Sequence, residues 1–139
     1  MKNYKFVYNN KEYELGEENC SYMRNDEEHP VAGIERNNII ELLCQQEMVD
    51  FDVEYYDQPC QNCSDLEKEK SKYFKFLGYH FFIYTKKDKY VISEISKEYE
   101  GTTFNKLLKQ GIVDDSYIVN LVACAECGDY TIEIEQCEV

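Results

Sequence analysis

The sequence predicts an α+β fold, a mostly antiparallel sheet built from hairpins with two or three helices beside it. Three observations carry that reading. Period-two alternation of apolar and polar residues recurs along the chain, turn-forming residues separate several of the alternating runs, and helical spacing is confined to short stretches between them. At 139 residues and 16.5 kDa, the chain is expected to be one domain over 1–139, large enough to bury a core without cross-links.

Residues 4–8 and 12–15 flank Asn9 and Asn10. Asparagine tolerates the positive φ of a tight turn, so this stretch reads as a β-hairpin at one margin of the sheet. Residues 16–28 are polar and acidic, with Cys20 and Tyr22 as their only anchors, and read as a loop. Pro30 can open a helix, and Ile39, Ile40, Leu43, Cys44 and Met48 follow at near-helical spacing, so a helix is expected from Pro30 to about Glu47. Cys44 would lie on its apolar face as a buried, inert thiol. Val49, Phe51, Val53 and Tyr55 then alternate with Asp50, Asp52 and Glu54, the pattern of a strand with one wet face.

Ser64 followed by Glu67 resembles a capping box and predicts a short helix through Lys72. Residues 73–85 and 90–96, joined by 86–89, read as a second hairpin. Tyr79, Phe81 and Ile83 point to one face and His80, Phe82 and Tyr84 to the other, which suits a central strand, with Gly78 marking a bulge. Thr102 or Thr103 caps a helix that runs to Gln110 and ends at Gly111. A final hairpin joins 117–123 to 130–136 through Cys124, Ala125, Glu126, Cys127 and Gly128.

The chemistry concentrates in the cysteines. No apolar run approaches the length needed to span a bilayer, and the first residues lead into no apolar signal core, so a cytoplasmic protein with no membrane partner is expected. Seven cysteines in a reducing compartment point to metal ligands plus core thiols rather than to disulfides. Cys60 and Cys63 form one Cys-x-x-Cys pair, at knuckle 60–63, and Cys124 and Cys127 form another, at knuckle 124–128. Two such pairs supply four thiolates for one tetrahedral ion, most simply zinc, with iron as the rival metal. Gly128 suits the turn after the second pair, because the residue there often needs a backbone conformation that glycine adopts cheaply.

Strand, Cys-x-x-Cys-Gly, aromatic residue and strand is a pattern that resembles the second half of zinc ribbons and rubredoxin-like domains, on Cys124, Cys127, Gly128 and Tyr130. It also resembles small bacterial zinc-knuckle proteins. The first pair departs from the pattern: Ser64 stands where the knuckle glycine would be, and 60 residues separate Cys63 from Cys124. Loop-closure cost rises slowly with length, so this spacing is tolerable.

Three functions follow from these features. The first is a non-enzymatic protein-interaction module rigidified by zinc, with thirteen tyrosines and a net charge of −13 suited to protein recognition. The second is a nucleic-acid-binding zinc ribbon. The acidic chain as a whole opposes it, but residues 68–109, with ten lysines against five carboxylates, keep it open. The third is a thiol redox enzyme using Cys60 and Cys63 at the start of a helix, a position that lowers a thiol pKa. Cys20 reads as a loop anchor, and Cys137 lies a strand's length from the knuckle. His29 and His80 have no catalytic partner recognisable in the sequence.

Overall fold

In a computed structural model the described residues are 3–46, 49–56 and 74–137. Strands β1 (Tyr4–Tyr8) and β2 (Lys11–Leu15) form a two-stranded antiparallel sheet. The hairpin is as expected, with Asn9 and Asn10 at φ 51° and 66°. It forms a sheet of its own, however, rather than a margin of the main one.

The main sheet has the order β3 (Cys20–Arg24), β8 (Tyr130–Gln136), β7 (Asp115–Cys124), β5 (Phe74–Lys86), β4 (Asp52–Tyr56). Strand β6 (Lys89–Ser93) also pairs with β5. The 13-residue β5 is therefore central, as its two apolar faces predict. It gives one edge to β7 and divides the other between β4 at Phe74 to Gly78 and β6 at Ile83 to Lys86. The β5–β6 turn is Lys87-Asp88, both at positive φ. The register irregularity lies at Tyr84 and Thr85, not at Gly78. Gly78 has another role: a Cβ there would overlap the Glu54 carboxylate, which lies across it from β4.

Residues 16–28 are not all loop. Strand β3 pairs in parallel with β8, placing Tyr22 opposite Thr131 and Arg24 opposite Glu133. Cys20 and Met23 are the residues of this strand that pack against the core, so its composition reads as mostly polar. The helix expected from Pro30 begins later: α1 is Arg36–Cys44, and Asn38 Oδ1 accepts from the Glu35 N–H at 2.7 Å at its entrance. Residues before it are extended because they are tied elsewhere. Asn25 exchanges hydrogen bonds with Val31, and Ala32 bridges to the β5–β6 hairpin. The buried side of α1 is Ile39, Ile40, Leu42 and Leu43, a phase that turns Cys44 outward. Cys44 is exposed, with Sγ 3.7 Å from the Asn3 carbonyl, and is not the buried thiol that the spacing predicts.

Helix α2 (Phe104–Lys109) follows its sequence signals: Thr103 Oγ1 accepts from the Lys106 N–H at 3.2 Å, and Gly111 has φ 73°. The short helix expected over 64–72 lies outside the described residues. The main core lies between one face of the sheet, α1 and the β1–β2 hairpin. Leu77, Phe81, Ile83, Val119, Leu121 and Ile132 meet Ile39, Ile40, Leu43 and the stacked rings of Phe6 and Phe51 there. Each fully buried aliphatic side chain contributes roughly 1.5–3 kcal/mol. A smaller cluster of Tyr84, Leu107 and Val113 holds α2 on the other side.

Candidate metal centre

Strands β7 and β8 pair from Tyr117 opposite Gln136 to Ala123 opposite Tyr130, and the second cysteine pair sits in the turn beyond. The Cys124 N–H donates to Asp129 O at 2.8 Å and the Gly128 N–H donates to Cys124 O at 3.0 Å, so the turn folds back on its first cysteine. Gly128 has φ 81°, the left-handed conformation that the sequence assigns to it. Cys124 is 4% exposed, whereas Cys127 is exposed at the surface.

The outer carbonyls of this turn are held by the β1–β2 hairpin and the residues after it. Lys11 Nζ donates to Ala125 O at 3.1 Å and to Glu126 O at 2.5 Å. Tyr13 Oη donates to Ala125 O at 2.7 Å, and Asn19 Nδ2 donates to Gly128 O at 3.1 Å. Lys11 also lies over the Tyr13 ring, 5.2 Å from its centroid. Burial raises the Tyr13 pKa, and the neighbouring Cys124 raises it further. The hairpin is thus a brace for the knuckle and sets the Lys11 ammonium on its carbonyls. Sequence reasoning misses all three bracing residues. The only local signal is that Lys11 and Tyr13, two apart on a strand, share a face.

The first pair, Cys60 and Cys63, lies outside the described residues. The ends that flank it are described. Tyr56 pairs with Phe74, and Phe76 pairs with Cys124. The chain therefore leaves β4 and re-enters β5 at the same end of the sheet as the knuckle. Among the described residues no group of three or more His, Cys, Asp or Glu side chains could hold a metal. Cys124 and Cys127 supply two thiols at this end of the sheet, and a four-ligand set would need the rest from outside the described residues.

Of the remaining described cysteines, Cys20 lies beside the knuckle end of the sheet and Cys137 at the opposite end. Cys20 is half-buried opposite Tyr130 in β3, and Cys137 donates its backbone N–H to Ser116 at the far end of the β7–β8 hairpin. Burial pushes both thiols up, opposite to the shift that makes a reactive thiolate. Of the lysines expected to form a nucleic-acid surface, Lys68, Lys70 and Lys72 lie outside the described residues, and those of the β5–β6 turn stand near carboxylates. The Lys87 N–H donates to Asp114 Oδ2 at 3.0 Å, and Asp115, Asp88, Asp26 and Asp114 together add to the effect of burial in lifting Tyr117 to about 12. No helix of the described residues is long and apolar enough to cross a membrane.

His80 does have partners. Its Nε2 is 2.5 Å from Glu54 Oε2 and its Nδ1 is 2.7 Å from Asn120 Oδ1, joining β4, β5 and β7 on the sheet face away from α1. Tyr56 Oη also donates to Glu54, at 2.5 Å. Two acceptors facing one imidazole favour its doubly protonated form. Burial alone would lower the His80 pKa, but the hydrogen bonds to Glu54 and Asn120 and the Glu54 charge outweigh it and raise the pKa.

The family described as "Protein of unknown function (DUF3785)" matches residues 4–139. The chain belongs to this family. No curated protein and no solved structure matches it. The DUF3785 match spans both cysteine pairs and the bracing hairpin, so Lys11, Tyr13, Asn19 and the knuckle all lie within the family region. Membership of DUF3785 carries no metal or activity with it, and the likeness to zinc ribbons rests on the knuckle residues themselves.

Proposed function

We propose that this DUF3785 protein is a structural zinc protein, with Cys60, Cys63, Cys124 and Cys127 as ligands, and that it acts as a protein-interaction module rather than as an enzyme. The observation that carries the reading is the braced Cys124-to-Cys127 turn at the end of the sheet where β4 stops and β5 starts. Four residues from Tyr56 to Cys60 reach at most about 14 Å. Two strand spacings separate β4 from β7, roughly 10 Å, so the first pair is within covalent reach of the second.

Zinc bound there would act as a cross-link between the end of β4 and the β7–β8 hairpin. The residues of the chain do the rest. Lys11, Tyr13 and Asn19 fix the turn, and the buried position of Cys124 limits solvent access to its sulfur. Four thiolates also suit iron. Zinc is preferred because a closed structural site needs no redox partner.

Thiol labelling with iodoacetamide, read by mass spectrometry, tests the ligand set. The expected result is that Cys60, Cys63, Cys124 and Cys127 resist labelling until a chelator is added, while Cys44 labels at once. Labelling of Cys60 and Cys63 that is indifferent to chelator would remove them from the site.

A further inference from the structure

Resting on the reading of this chain as an interaction module, we propose that the sheet face turned away from α1 docks a lysine- or arginine-bearing segment of a protein partner. This face presents Tyr22 and Phe82, 41% and 39% exposed, beside the polar row of Glu54, His80, Asn120 and Glu133 that crosses β4, β5, β7 and β8. Among the described residues, α2 packs at one end of it, against Tyr84. Asp52 and Glu135 stand exposed at its margins.

The face already shows how it holds a cation. The Arg24 guanidinium lies over the Tyr22 ring, 5.4 Å from its centroid, and the Tyr22 hydroxyl donates to Glu133 at 2.9 Å. An aromatic ring beside a carboxylate is the arrangement that takes a lysine or arginine side chain, by cation–π attraction and charge together. The same pairing recurs at Tyr56 and Glu54, with His80 beside them. Within the face the carboxylates of Asp52, Glu54, Glu133 and Glu135 outnumber Arg24 and His80, and the chain as a whole carries −13. Phosphate backbones are repelled by that balance, and a second copy would set like charges face to face. A cationic segment with intervening apolar residues matches both the charge and the exposed rings.

The test is fluorescence anisotropy of the full-length, metal-replete protein with a labelled peptide of alternating lysine and leucine, against an alternating glutamate and leucine control. The expected result is binding of the cationic peptide alone, weakened about tenfold or more by Phe82→Ser combined with Tyr22→Ser. That pair changes no charge. Glu135→Lys should weaken binding as well, whereas Glu27→Gln with Glu28→Gln, in the loop before α1, should change it less than about twofold. Unaltered affinity in both face variants, or equal loss in the loop variant, would overturn the proposal. So would a labelled oligonucleotide, or self-association seen by sedimentation, that depends on Phe82. The zinc content of the wild-type protein separates the two readings. Full zinc with no face-dependent binding rejects the docking surface alone, and face-dependent binding by protein that never held zinc rejects the metal centre alone.

Discussion

Tyr13 donates its hydroxyl to the Ala125 carbonyl at 2.7 Å, linking the first hairpin to the cysteine turn across 112 positions of sequence. With Lys11 on the same carbonyl, it converts a surface turn into a supported one. Tyr13→Phe removes the donor and leaves the ring. The expected cost is about 1 kcal/mol in urea denaturation, together with faster loss of metal to a chelator. A variant with unchanged stability and unchanged metal loss would show that the brace does not support the site.

Gly128→Ala places a Cβ on a residue at φ 81°. The strain is expected to destabilise the protein by roughly 1–2 kcal/mol, and metal retention should fall with it. Thermal unfolding with and without chelator measures both, and the difference between the two conditions should shrink in the variant.

The His80 pair gives a pH dependence of defined sign. The folded-state pKa is raised above the ordinary 6.5 by Glu54 and Asn120, which overcome the effect of burial. The group therefore stabilises the fold fully below the unfolded value, and that contribution is lost as pH rises through the folded value. Stability of the wild type relative to His80→Gln should be greatest on the acid side of 6.5 and should decline above it. Denaturant midpoints across that range are the measurement, and a gap that widens with rising pH would contradict the assignment.

Gly78→Ala drives a methyl group into the Glu54 carboxylate. Separation of Glu54 from His80 and displacement of β4 are expected to cost about 1–3 kcal/mol. The variant should also lose most of the pH dependence predicted for His80, which urea midpoints on either side of neutrality would reveal.

Local chemistry made much of this fold legible. Asn9-Asn10 announces the first hairpin, Thr103 and Gly111 bound α2, and the alternation on both faces of β5 marks it as central. What escaped depends on distant partners. Strand β3 reads as polar because its pairing is supplied by β8, more than a hundred residues away, and two side chains, Cys20 and Met23, serve the core. Helix α1 starts late because Val31 and Ala32 are bound to Asn25 and to the β5–β6 hairpin, and the resulting phase exposes Cys44. The knuckle turn was readable from Cys124, Cys127 and Gly128, but its support by Lys11, Tyr13 and Asn19 was not, because no spacing rule connects residues from opposite ends of a chain. His80 likewise acquires its partners only through the register of β4, β5 and β7.

Elemental mass spectrometry of protein purified anaerobically without added metal decides whether the four cysteines hold a metal. The expected result is one zinc per chain in a colourless solution, retained in Cys44→Ala and lost in Cys127→Ser together with thermal stability. Metal-free wild-type protein of undiminished stability, or full zinc retention in Cys127→Ser, would contradict it.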